Sequence, residues 1–254
     1  MIDLTSKRGL ILGIANERSI AYGCARHFKR AGAELAVTYL NEKARPYVEP
    51  LANDLDAKLF LPCDVREEGQ LEAVFNEIER EWGRLDFLLH SIAFAPKDDL
   101  HARVADCSRE GFSVAMDVSC HSFIRCARLA EPLMSEGGCL QTVTFYGSER
   151  VVEDYNLMGP VKAALESSVR YLAAELGDSG IRVHALSPGP MDTRAASGIN
   201  RFDELMERAR QRAPTNKLVT NDEVGSTAAF LASDGAKGIT GNTIYIDAGM
   251  HIMG

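Results

Sequence analysis

No stretch of this 254-residue chain approaches the roughly 18 consecutive apolar residues that a membrane-spanning helix requires, which excludes a helical membrane protein. The opening residues, Met1-Ile2-Asp3-Leu4-Thr5-Ser6-Lys7-Arg8, lack the apolar core of a secretory signal, so a cytoplasmic location is expected. Cysteine pairs are also lacking. None of Cys24, Cys63, Cys107, Cys120, Cys126 and Cys139 stands in a Cys-x-x-Cys motif, which points to reduced, mostly buried thiols and to no metal site. Positive charge is in deficit, with 28 Lys and Arg against 36 Asp and Glu and a net charge of -8. Without clustered cations, neither nucleic acid nor an anionic membrane surface is an expected partner, and a small soluble substrate fits better. Pro/Ser-rich stretches, charge blocks, repeats and low-complexity segments are absent. The whole chain is therefore expected to fold, at a length compatible with one domain.

What the sequence does contain is alternation. Apolar runs of strand length at 9–12, 35–39, 58–61, 87–90, 140–145, 182–186 and 243–246 are separated by segments 19–30, 70–82, 112–134, 155–176 and 222–232. In those segments apolar residues recur at three- and four-residue spacings. The pattern predicts a single-domain, Rossmann-like, doubly wound α/β fold, a seven-stranded parallel sheet with helices on both faces. Ligand chemistry then belongs just beyond the carboxyl ends of the strands, where the strand order reverses. The irregular stretch from 187 to about 221 predicts a lid, centred on residues 190–217.

Three strand exits suit a nucleotide. After the first, Gly13-Ile14-Ala15-Asn16-Glu17-Arg18-Ser19-Ile20-Ala21 leads into a helix. Small residues there let the backbone approach a pyrophosphate, and the helix N-terminus at Ser19 and Ile20 attracts its charge. A plain N-cap at Ser19 explains the turn about as well. After the third strand, Cys63-Asp64-Val65 offers a carboxylate to an adenine amino group, or else caps a helix from Arg66 onward. After the fourth, His90-Ser91-Ile92-Ala93 lets the backbone pass along ribose and nicotinamide, with Ser91 and Ile92 as the candidates. The second strand leaves through Thr38-Tyr39-Leu40-Asn41-Glu42, with no cation before Lys43 to meet a 2′-phosphate and with Glu42 positioned to repel one. NADH is the expected cofactor, and NADPH is the alternative.

The strongest signal is Tyr155-Asn156-Leu157-Met158-Gly159-Pro160-Val161-Lys162. With the whole stretch helical, seven steps of about 100° bring Lys162 to within about 20° of Tyr155, two turns on, so that both face the nicotinamide. The alternative is a tyrosine buried by its ring and a lysine reaching to solvent. The chemistry expected of the pair is reduction of a polarised double bond. Hydride goes to the β-carbon of an enoyl thioester, Tyr155 hydrogen-bonds the thioester oxygen as it becomes an enolate, and Lys162 holds the ribose hydroxyls of the cofactor.

Taken together, several motifs resemble one family over almost the whole chain. They are Gly13-x5-Ser19-Ile20-Ala21-Tyr22-Gly23, Cys63-Asp64-Val65, His90-Ser91-Ile92-Ala93-Phe94-Ala95-Pro96, Tyr155-x6-Lys162, Gly189-Pro190 with Thr193, and Ala195-Ala196-Ser197-Gly198-Ile199. The family is the bacterial enoyl-acyl-carrier-protein reductases, a divergent branch of the short-chain dehydrogenase/reductases. Ordinary members of that superfamily use Tyr-x-x-x-Lys, and here Met158 stands four residues before Lys162. The resemblance implies that Gly13, Ser19, Ile20, Leu40, Asp64, Val65, Ile92, Lys162 and the stretch from Met191 through Thr193 to Ala195 contact NADH. It implies that Ala95 lines the acyl pocket, that trans-2-enoyl groups on acyl carrier protein are the substrate in fatty-acid elongation, and that the enzyme is a homotetramer.

Many members read Tyr-Leu-Gly-Ala-Glu-Arg where this chain has Phe145-Tyr146-Gly147-Ser148-Glu149-Arg150. Phe145 is expected as an apolar wall of the substrate pocket, and Tyr146 joins that pocket only if the strand bulges. Between Met191 and Lys217, six cations (Arg194, Arg201, Arg208, Arg210, Arg212, Lys217) outnumber four acids. A helix over Phe202–Arg212 would make a lid whose arginines steer an acidic carrier protein, or else a solvated face with internal ion pairs. Two other functions stay open: a 3-ketoacyl or ketone/alcohol dehydrogenase of the same superfamily, and a non-catalytic NAD(H)-binding regulator.

Overall fold

The computed structural model describes residues 2–193 and 202–253. Its strands are β1 Arg8–Leu12, β2 Glu34–Tyr39, β3 Leu59–Pro62, β4 Phe87–His90, β5 Gly138–Val143, β6 Ile181–Pro188 and β7 Asn242–Ile246. They form one parallel sheet in the order β3-β2-β1-β4-β5-β6-β7. The order reverses between β1 and β4, which pair directly with Leu12 opposite His90.

Helices cover both faces. In chain order they are α1 Ile20–Arg30, α2 Arg45–Asp54, α3 Gln70–Trp82, α4 Lys97–His101, α5 Arg109–Met116, α6 Ser122–Ala130, α7 Met158–Leu176, α8 Phe202–Arg212 and α9 Asn221–Ala232. Because side chains alternate along a strand, Leu10 and Leu12 of β1 enter one apolar layer with α3, α6 and α7, while Ile11 enters the other with α1, α2 and α9. Double coverage is why the strands read as near-continuous apolar runs. Among the described residues, no helix is long and apolar enough to cross a membrane. Five of the six thiols are buried, and desolvation pushes Cys24 and Cys63 up to about 12, which leaves them inert.

Four departures from the expected elements bear on the site. First, β5 ends at Val143, two residues before Phe145. Second, the long helix expected over 112–134 is α5, a π-helical turn Asp117–His121, α6 and a short 3-10 turn. Third, α2 forms between β2 and β3, where no helix is expected: Pro46 sits in its first turn, where a missing N–H costs nothing, and the Asn41 side chain accepts from the N–H groups of Lys43 and Ala44 just before it.

The fourth concerns the helix expected to begin at Tyr155, which begins at Met158 instead. A helix starting at 155 would require the Pro160 nitrogen to donate to the Asn156 carbonyl. Starting at Met158 puts the proline in the first turn, among groups that have no intrahelical partner anyway. Asp154 (φ 63) and Asn156 (φ 41) make the left-handed turn that precedes it.

Candidate active site

A cleft of about 690 Å³ opens over the carboxyl ends of β1 to β6, within the usual size of a small-molecule site. Its floor is the turn after β1. Gly13 there has φ 103, and a Cβ at this position would lie 2.1 Å from the Ser91 carbonyl oxygen, so only a bare backbone fits between β1 and β4. The Ser19 Oγ accepts from the N–H groups of Ala15 and Asn16, both at 3.0 Å, and makes no cap bond to α1. Ser19 is thus a buried brace of the turn rather than a helix cap. It lies behind the cleft wall, to which Ile20 contributes directly. A glycine-floored turn opening onto an uncapped helix N-terminus suits a phosphate diester.

The other strand exits follow in spatial order. Leu40, half exposed, lines the cleft after β2. After β3 come Asp64 and Val65, and the Asp64 carboxylate accepts from the Arg66 N–H (3.0 Å), Nε (3.0 Å) and Nη2 (2.6 Å). The Arg66 guanidinium holds this carboxyl below its usual range. After β4, Ser91, Ile92 and Ala95 line the cleft, and Ser119 Oγ accepts from the Phe94 N–H (2.9 Å) and donates to its carbonyl (3.1 Å). Met191 and Thr193 close the far side beyond β6.

Tyr155 and Lys162 line this same cleft, though not as neighbours on one helix face. Tyr155 sits in the turn before α7, and its ring rests against Gly147, where a Cβ would come within 2.6 Å of it. Desolvation, and after it the Glu166 carboxylate, push the phenol up, so it stays protonated. Lys162, on α7, donates from Nζ to the Val143 carbonyl at 2.8 Å; burial lowers it to about 8, against the opposing pull of Cys120 and Glu166.

One turn beyond Lys162, the buried Glu166 accepts from Thr144 Oγ1 (2.6 Å) and Ser148 Oγ (2.7 Å), stapling the β5 exit to α7. A glutamate on the apolar face of α7, four residues after the lysine, is the signal that would have found it. Phe145 faces the cleft and packs edge-on against Tyr155, with ring centroids 4.9 Å apart. Tyr146 is not among the cleft-lining residues. It packs edge-on behind Phe145 (ring centroids 4.9 Å apart), between the Tyr155 cluster and Ala209 and Met250, and β5 has ended without the bulge that Tyr146 would need to reach the pocket.

Ala195 lies outside the described residues, as do Arg194 and Arg201. The remaining basic side chains of the expected lid are drawn into local contacts. Arg208 pairs with Glu153 and Glu204, Arg210 with Glu207, Lys217 with Glu223, and Arg212 donates to the Met253 carbonyl.

The sequence profile of the family described as enoyl-(acyl carrier protein) reductase matches residues 13–251. An enoyl-(acyl-carrier-protein) reductase (NADH) of a Nostoc species is 47% identical over the full length of both chains. Enzyme 1 of that name from Rhizobium meliloti is 45% identical, covering 99% of this chain and 92% of its own. Among solved structures, the Bacillus cereus enoyl-acyl carrier protein reductase with NADP+ and an indole naphthyridinone superposes at a TM-score of 0.97, with 45% identity over all of both chains. The Anaplasma phagocytophilum reductase in complex with NAD superposes at 0.95, with 44% identity over 99% of this chain and 96% of that one. With the profile running from the Gly13 turn to beyond β7, and with identity this high over full length, the chain belongs to the enoyl-(acyl carrier protein) reductase family.

Proposed function

We propose that the chain reduces the trans-2 double bond of enoyl thioesters presented by acyl carrier protein, with NADH as reductant, in fatty-acid elongation. The observation that carries this reading is the shared cleft, where a buried phenol, Tyr155, and a buried ammonium, Lys162, open onto the concavity floored by the Gly13 turn. Bound NADH supplies the hydride. Tyr155, held protonated by its surroundings, donates to the thioester oxygen as negative charge develops there, a contribution of about 3 kcal/mol. Lys162, anchored through Nζ to the β5 exit, keeps two further donors for the ribose hydroxyls and so sets the angle of transfer. Phe145 and Ala95 offer apolar surface to the acyl chain and exclude water from the developing enolate.

At the β2 exit, Arg45 is drawn to Glu42 (3.7 Å) and Glu49 (3.2 Å), and Glu42 stays exposed where a 2′-phosphate would approach. These features support NADH over NADPH. The homotetramer implied by the family finds support in apolar side chains that a lone chain leaves in water, among them Phe112 on α5 and Tyr171 on α7.

The test is NADH oxidation followed spectrophotometrically with a 2-enoyl thioester, on the wild type and on Tyr155→Phe. The substitution is expected to lower kcat by about 10²- to 10³-fold while the KM for NADH changes little, because the lost bond is made to the substrate oxygen. Full turnover by Tyr155→Phe, or no oxidation by the wild type, would defeat the proposal.

A further inference from the structure

Lys162 and Arg66 are the two cationic side chains lining the cleft among the described residues. Lys162 stands beside β5 and Arg66 follows β3, four strands away in the sheet order, or about 19 Å at 4.8 Å per strand. They meet different parts of any extended ligand. Lys162 has its place in the reaction; Arg66 has none so far.

An arginine paired two residues along the chain is usually a solvated arm, and this one is 48% exposed. Its geometry is more constrained than that. The fork from Nε and Nη2 to the Asp64 carboxylate fixes the plane of the guanidinium, and Cζ lies 5.6 Å from the centroid of the Phe94 ring. Phe94 is itself pinned by both of its backbone bonds to Ser119. A flat cation held from two sides therefore forms part of the cleft wall, with half-exposed Leu40 contributing apolar surface from the adjacent strand exit. A guanidinium is weakly hydrated and stacks well on aromatic faces, whereas a lysine ammonium does neither. Asp64, with lone pairs beyond those engaged by Arg66, can still accept from an exocyclic amino group.

We infer that Arg66 is the stacking residue for the purine of the dinucleotide, fixing its ring at the β3 end of the cleft. The inference rests on the cofactor reading above and adds a residue to it. Asp64 reads the amino group, Arg66 grips the ring, and the bond between the two keeps both in register.

The experiment measures dissociation constants of NADH by fluorescence and of ADP and inosine diphosphate by calorimetry, for the wild type, Arg66→Ala and Arg66→Lys. Arg66→Ala is expected to weaken NADH and ADP by about 5- to 30-fold. Inosine diphosphate should be weakened by the same factor, since its ring stacks alike. Arg66→Lys should recover little, because it keeps the charge without the plane. Binding of reduced nicotinamide mononucleotide, which has no purine, should hold within about twofold, showing that the cleft stays folded. The inference is overturned if Arg66→Ala binds NADH and ADP as the wild type does, if Arg66→Lys restores affinity, if the penalty falls on ADP but spares inosine diphosphate, or if the mononucleotide loses equally. A wild type that binds neither NADH nor ADP overturns the cofactor reading itself.

Discussion

Lys162 shows how burial turns an ordinary residue into one with a working pH range. The residue is 5% exposed, and desolvation brings its pKa down to about 8. Below that value the side chain is charged and can donate to the ribose hydroxyls; above it the charge is lost. Tyr155 is shifted the opposite way, so the phenol does not account for a change near pH 8. Measured for NADH, kcat/KM is expected to stay level up to about pH 8 and then fall about tenfold per pH unit, as the free enzyme loses that proton. Lys162→Arg, charged throughout, should remove the falling limb even if its rate is lower. A wild-type profile level to about pH 9.5 would show that Lys162 does not titrate in this range.

At the scale of elements, helix ends decide where the chemistry sits. The Pro160-directed start of α7 leaves Tyr155 in a turn whose Asn156 side chain donates to the Leu100 carbonyl of α4 at 3.0 Å, while Glu166 within α7 ties that helix to the segment just after β5. Following the lid region, α9 begins with a reciprocal cap. The Thr220 hydroxyl oxygen accepts from the Glu223 N–H at 3.3 Å, and the Glu223 carboxylate accepts from the Thr220 N–H at 2.8 Å. Because α9 packs on α1, whose start faces the pyrophosphate turn, this cap supports the site indirectly. Thr220→Ala is expected to cost about 1 kcal/mol, seen as a melting-temperature drop of about 2–4 °C, with Thr220→Ser restoring most of it. An unchanged melting temperature would mean that the end of α9 is fixed by packing alone.

For the whole molecule, two fully buried histidines set the acid limit of stability. His90 lies between Thr142 Oγ1 (3.1 Å) and Ser122 Oγ (2.7 Å); burial, with Lys162 adding to it, lowers its pKa to about 3. His184 on β6 is lowered to about 4 by burial and then by Arg182. The unfolded chain takes up these protons near pH 6.5 and the folded chain does not, so stability falls as pH drops below about 6.5. Each histidine contributes a slope of up to about 1.4 kcal/mol per pH unit between its unfolded and folded values. Urea midpoints compared at about pH 7 and pH 5 should reveal the loss, and His90→Asn combined with His184→Asn should flatten it. A wild type with the same stability at both values would contradict buried, neutral histidines.

The fold was legible because its signals are local and repeated. Strand-length apolar runs alternating with helical periods specify a doubly wound sheet, and five of the seven strands begin and end within a residue of the expected limits, while β5 is displaced by two residues and β6 runs two residues longer at its end. Glycine at 13, Asp64 and the Tyr155/Lys162 pair could be picked out because each follows a strand end, where such a sheet gathers its ligand residues. Sequence could not show that Tyr155 precedes its helix, that Tyr146 packs behind Phe145 rather than lining the cleft, or that Pro46 begins a helix. Each depends on which neighbour the backbone packs against. Glu166 meeting Thr144 and Ser148, and Arg66 lying over Phe94, join residues 18 to 28 positions apart. Periodicity carries the architecture of this protein, but contacts across strand exits exist only after the sheet has formed, and those contacts orient its reacting groups.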